Sequence, residues 1–151
     1  MTTQIYEIIP PHRCIIDNRI TELCSSATAT FRQDHICIHF PNDAQQLDID
    51  NITAAIMEYN ALIITASKGE ILADGIDSVV ITCAALPTNF NYVVYRCAPS
   101  HLDYIYEQAG NAPDGILEFS AIEAAKYLIE IRNPANYESG YIEIEAVEAE
   151  S

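Results

Sequence analysis

The sequence predicts a mainly β protein, an antiparallel sandwich preceded by a small β-rich module with one helix. Three observations carry that expectation. Strict alternation recurs in the second half, with Val79, Ile81 and Cys83 set against Val80 and Thr82, and Ile142, Ile144 and Ala146 against Glu143 and Glu145. That is the period of strands with one face in a core. Turn signals such as Asp74-Gly75, Asn133-Pro134 and Ser139-Gly140 punctuate the runs, as in all-β domains with turns about every 8–12 residues. Half of the 151 residues are apolar, enough for a real core and too many for general disorder.

Residues 4–9 are β-rich and stop at Pro10-Pro11, because proline cannot donate to a ladder. Arg13-Cys14-Ile15-Ile16, then Asp17-Asn18, then Arg19-Ile20-Thr21-Glu22-Leu23 read as a hairpin. Asp and Asn best tolerate the positive φ of a two-residue turn after glycine. Residues 27–32 and 35–40 read as a second hairpin with Gln33-Asp34 at the tip; Ile36, Ile38 and Phe40 share one face of its second arm, and His35, Cys37 and His39 the other. Asp48 or Asp50 is placed to cap a helix running to about Tyr59, with Ile49, Ile52, Ile56 and Tyr59 on one stripe. These elements make a module over residues 1–59.

From Ala61 onward the period is β, and residues 60–151 form the expected sandwich. Strands are predicted over residues 62–65, 70–73, 79–83, 90–97, 115–119, 126–131 and 141–147. Residues 100–108 fit either a short helix or a strand, 111–115 a loop, and 121–125 a helical turn.

The net charge is −15, from 22 acidic and 7 basic residues. Seven cations are too few to line a phosphate groove, so no nucleic-acid partner is expected. The longest apolar runs fall far short of the roughly 18–20 residues of a membrane span. Pro10-Pro11 interrupts the basic-then-apolar order of a secretory leader. The expectation is a protein made in the cytoplasm with no membrane partner. Cys14, Cys24, Cys37, Cys83 and Cys97 are odd in number and lack metal-knuckle spacing, which reads as reduced, largely buried thiols.

Ile71-Leu72-Ala73-Asp74-Gly75 followed by Asp77-Ser78-Val79-Val80-Ile81-Thr82 resembles the opening of bacterial and phage immunoglobulin-like domains of the invasin type. Gly115-Ile116-Leu117-Glu118-Phe119, Lys126-Tyr127-Leu128-Ile129-Glu130-Ile131 and Ser139-Gly140-Tyr141-Ile142-Glu143-Ile144 are similar to their closing strands. The resemblance covers about residues 61–147 and implies an immunoglobulin-like sandwich. It departs from the family in having no tryptophan in the chain and Ala125-Lys126 where a glycine is usual before the tyrosine. Tyr127 is then either the tyrosine of a corner motif or a plain half-buried ring.

Candidate sites are sparse. His35, Cys37 and His39 share a strand face with neighbours about 6.5–7 Å apart, a spacing at which two can converge on zinc, with His12 or Cys14 as further ligands; an ordinary polar face is the competing reading, and no metal or cofactor is expected. Ser25-Ser26 and Ser100-His101 lack an elbow or triad context. Asp74 and Asp77 beside Gly75 read as turn-stabilising residues rather than calcium ligands. No enzyme is expected. Tyr104, Ile105 and Tyr106 are the expected contact patch, as aromatic residues suit interfaces.

The resemblance implies a non-enzymatic structural or accessory protein of a phage virion, a capsid-decoration or tail component displaying an immunoglobulin-like domain. Its N-terminal module would dock on other virion proteins, as a homo-oligomer in the particle. The rival expectation is an acidic DNA mimic or inhibitor that binds a basic host defence protein.

Overall fold

Ile15, Ile16, Ile20 and Leu23 recur at the spacing of one helical stripe, and a helix is what they form. In the structure, a computed structural model that describes residues 2–8, 12–97 and 103–149, α1 spans Arg13–Leu23. This corrects the expected hairpin and gives the N-terminal unit two helices where one was predicted. Two strands joined at Asp17-Asn18 would turn Ile15 and Ile16 to opposite sides, whereas the helix buries Ile15, Ile16 and Ile20 together. The supposed turn residues bond along the helix instead. Thr21 Oγ1 donates to the Asp17 carbonyl at 2.9 Å, and Asn18 Nδ2 to Glu22 Oε1 at 3.0 Å, both i,i+4 pairs.

The chain divides into two compact units, Met1–Glu58 and Tyr59–Ser151. In the first, β1 (Thr2–Tyr6), β2 (Thr28–Phe31) and β3 (Ile36–Phe40) form an antiparallel sheet in the order β1-β3-β2. α2 spans Gln46–Met57 and begins ahead of the aspartates read as caps. Gln45 is the cap residue, and its N–H donates to Asp48 Oδ2 at 3.3 Å, one arm of a capping box. Both helices lie on the sheet face of Ile36, Ile38 and Phe40, which are fully buried. Tyr6, paired with Ile36, shares a 2.7 Å hydroxyl–hydroxyl bond with Thr53 of α2, and the Arg13 guanidinium stands 5.2 Å over the Phe31 ring. Each fully buried isoleucine or phenylalanine there contributes about 1.5–3 kcal/mol.

The second unit is a two-sheet β-sandwich. Its strands are β4 (Ile64–Ala66), β5 (Glu70–Leu72), β6 (Val79–Cys83), β7 (Phe90–Cys97), β8 (Ile105–Ala112), β9 (Ile116–Phe119), β10 (Ala125–Arg132) and β11 (Ser139–Val147). The order is β5-β11-β10-β7-β8 in one sheet and β4-β6-β9 in the other. Every pair is antiparallel except β5 with β11. Val79, Ile81 and Cys83 point into the core with Phe90, Val94, Tyr127, Ile129 and Ile144, as the alternation predicts.

Ser67 to Gly69 carries the chain between sheets. Ser67 exchanges two 2.9 Å bonds with the Val80 backbone, and Gly69 accepts from the Glu145 N–H at 2.9 Å. At the turn opened by Ala73, Asp74 Oδ1 accepts from the N–H groups of Ile76 and Asp77 at 2.9 and 2.8 Å. Gly75 takes φ +75° and donates to the Ala121 carbonyl; this is the left-handed region that glycine enters without strain. Both aspartates therefore serve the turn.

Three loop readings change. Residues 105–112 are strand β8, which settles part of the helix-or-strand ambiguity; residues 98–102 lie outside the described residues. The loop read over 111–115 narrows to Pro113-Asp114-Gly115, where Gly115 has φ +74°. Residues 122 and 123 form a bend and not a helical turn. Tyr127 holds that corner, its hydroxyl donating to the Glu123 carbonyl at 3.0 Å. Among the described residues no helix is long and apolar enough to cross a membrane.

Candidate functional site

The open face of the N-terminal sheet is built by alternation. With Ile36, Ile38 and Phe40 turned to the helices, Cys37 and His39 point the other way, flanked by Thr3 and Ile5 of β1 and Thr28 and Thr30 of β2. None of these six side chains is a carboxylate, lysine or arginine. His39 is pinned at the centre, with Nδ1 3.1 Å from Thr3 Oγ1 and Nε2 3.1 Å from Thr30 Oγ1. Ile5 stands 63% exposed beside it.

The three residues considered for zinc do not assemble. His35 precedes β3 and lies 2.5 Å from Asp34, whose carboxyl it holds below the ordinary range by that hydrogen bond and its charge. Both nitrogens of His39 are engaged by threonines. His12 and Cys14 belong to the cap and first turn of α1, the helix of the sheet's other face. Among the described residues no group of three or more His, Cys, Asp or Glu side chains is placed to hold a metal. Ser100 and His101 lie outside the described residues.

Tyr104, Ile105 and Tyr106 lead into β8, the edge of the five-stranded sheet. The Tyr104 hydroxyl donates to Glu143 Oε1 at 3.0 Å, and Tyr106 meets Tyr95 edge-on at 6.4 Å. Ile105 and Tyr106 are about half exposed, so the patch named from sequence is split between a tethered ring and two accessible apolar groups.

The sequence reading missed the surroundings of that strand. Arg96 Nε lies 3.2 Å from Glu107, and its other arm pairs with Glu123. The two carboxylates, Glu107 foremost by its hydrogen bond, raise the Arg96 pKa above its ordinary value. The Tyr127 hydroxyl is also raised, first by burial. Glu107, Glu123 and Tyr127 border a cleft of about 290 Å³ between the two sheets, lined also by Val94, Phe119 and Ile122. Ile76 and Ile122 project at 85% and 79% exposure on either side of the contact between Gly75 and Ala121. Tyr127 is marked in the sequence as a corner candidate, but Arg96, Glu107 and Glu123 come from three separated segments and carry no local signal.

Comparison with protein-family models, curated proteins and solved structures finds no significant match.

Proposed function

We propose that the chain is a non-enzymatic structural or accessory component of a phage particle, a capsid-decoration or tail protein. Its first unit docks on other virion proteins, and its second is a displayed immunoglobulin-like domain of the invasin type. The observation that carries the docking role is the open face of Thr3, Ile5, Thr28, Thr30, Cys37 and His39. In a chain of net charge −15, a sheet face without ionised carboxylates suits a buried contact, since interface cores are depleted of charge. Residues 1–58 hold 8 acidic against 3 basic residues and residues 59–151 hold 14 against 4, so the open face is without carboxylates in a unit that is itself acidic.

The strand order supports the immunoglobulin-like reading. β11, β10, β7 and β8 take the places of strands G, F, C and C′, and β4, β6 and β9 those of A, B and E. Tyr127, near the start of β10 and bonded to backbone four residues upstream, occupies the place of the corner tyrosine.

The test is mass spectrometry of purified particles from the source, with copy number. Stoichiometric presence is expected, and absence from every particle overturns the proposal. Thr30→Glu, which puts a charge on the open face, is then expected to abolish particle binding while leaving the circular dichroism spectrum unchanged. Undiminished binding removes the docking assignment.

A further inference from the structure

Glu107 stands at a bulge in β8. The β7–β8 register shifts between Val94 and Tyr95, so that Val94 faces Gln108, Tyr95 faces Tyr106, and Glu107 is the extra residue. A bulge breaks the ladder and re-aims the side chain it carries, and bulges gather beside functional sites. This one turns Glu107 to Arg96 and to the cleft between the sheets. Glu123 reaches the same cleft from the corner between β9 and β10. Arg96 holds both carboxylates through their Oε2 atoms, that of Glu107 at 3.2 Å, and leaves one negative charge in excess.

Those bonds use one oxygen of each carboxylate. Among the described residues the second oxygens, Oε1 of Glu107 and Oε1 of Glu123, make no hydrogen bond, and the two side chains are 40% and 59% exposed. An ionised carboxylate accepts at both oxygens, so each has acceptor capacity left over. Beside them the cleft is apolar. Ile122 stands exposed at its mouth, and Phe119 and Tyr127 lie buried at its floor. An accessible apolar wall next to two carboxylates matches a side chain with an apolar stem and a cationic head.

We infer that this cleft receives an arginine side chain presented by a partner protein, its stem along Ile122 and its guanidinium held by the second oxygens of Glu107 and Glu123. Charge selects the sign of the partner. A chain of net charge −15 draws in a basic segment and repels an acidic one, and the cleft adds two carboxylates against one cation. Geometry selects the head group. A guanidinium is a planar fork of five N–H donors that can bridge two carboxylates at once, as Arg96 already does with this pair. The ammonium of lysine is a compact, strongly hydrated point charge without that fork. The inference concerns the second unit and does not rest on docking of the first unit to a particle.

Heteronuclear NMR of the full chain tests it, with acetyl-Gly-Arg-Gly-amide at millimolar concentration as the probe. Saturable shifts are expected at the amides of Glu107, Gln108, Ile122 and Glu123, with the matching lysine peptide binding more weakly. Glu107→Gln combined with Glu123→Gln should weaken the arginine peptide about tenfold by removing both charged acceptors. Glu148→Gln, which removes a carboxylate beyond the end of β11, should leave it unchanged. Ile122→Lys is the second variant. That side chain is 79% exposed, so the fold does not depend on it, and its ammonium would occupy the carboxylate pair and weaken the peptide likewise. Circular dichroism checks the folding of each variant. Shifts that never saturate or that spread over the acidic surface away from the cleft overturn the inference. So does an equal response to the lysine peptide, or binding that Ile122→Lys leaves intact. Particle mass spectrometry is a separate readout, so failure of the cleft and failure of the virion assignment are distinguishable.

Discussion

The edge strands β5 and β8 bound the same sheet and solve the same problem in opposite ways. β5 is short, runs parallel to β11, and is sealed by side chains: Asp77 takes the Leu72 N–H and binds Lys68 at 2.5 Å. β8 is long, antiparallel to β7 and unsealed past its bulge. Sealing uses charged groups from a flanking turn, and an acidic chain has such groups in abundance. Their absence along Gln108 to Ala112 is therefore where this molecule departs from its own habit. An available edge is identified by what caps its neighbours, and not by its length alone.

The largest effects probe what each edge is anchored to. Ile71→Ala removes the one fully buried side chain of β5 and is expected to destabilise the second unit by about 2–5 kcal/mol, read from urea midpoints. Gly115→Ala strikes the turn that carries β8 into β9. A Cβ there would stand 2.3 Å from the Pro87 carbonyl oxygen on a backbone with φ +74°, and a loss of about 2–4 kcal/mol is expected in the same assay. Tyr127→Phe deletes the corner bond to Glu123 and should cost about 0.5–1.5 kcal/mol; no change would mean that the corner is held by packing alone.

Acid sharpens the contrast further. Asp74 is held below the usual carboxyl range, first by the Asp77 N–H and then by that of Ile76; Asp77 is lowered by its hydrogen bond to Lys68 and then by the Leu72 N–H. A lowered folded value means that their contribution is complete above the ordinary value of 3.8 and is lost as pH falls through the folded values. The Leu72 amide should therefore lose its capped state at acid pH. At neutral pH, Asp77→Ala should speed Leu72 amide exchange at once while leaving the 108–112 amides unchanged. The smallest effect tests the helix that replaced the predicted hairpin. Asn18→Gly should destabilise the first unit by about 0.5 kcal/mol, because glycine is the poorer helix former, whereas a turn at that position would gain from it.

Much of the sandwich was legible because burial on one face imposes alternation. Val79-Val80-Ile81 alternates buried and exposed as its order predicts, whereas in β10 Leu128 and Glu130 are buried along with Tyr127, Ile129 and Ile131, and Asp74-Gly75 marks its turn by chemistry that needs no tertiary partner. Arg13 to Leu23 was misread because Asp17-Asn18 is a strong local turn signal, while the competing stripe of Ile15, Ile16, Ile20 and Leu23 draws its strength from burial within the fold. The candidate surfaces were harder still. Tyr106 is visible as an aromatic group in a stretch that fits either a helix or a strand. That β8 is an edge depends on which strands stand beside it, a fact spread over the whole unit. The uncharged face around His39 likewise draws on three strands, and only its central pair, Cys37 and His39, was apparent beforehand.

The parallel pairing of β5 with β11 also has a mechanical meaning. These strands lie near the two ends of the second unit and register as Glu70 with Glu145, Ile71 with Ala146 and Leu72 with Val147. Tension applied between Tyr59 and the end of β11 pulls them in opposite directions along their shared axis. The ladder is then loaded in shear, and its bonds must yield together instead of opening one at a time like a zip. A domain joined at both ends would meet the load where β4 pairs with β6 and then, in shear, at this short clamp.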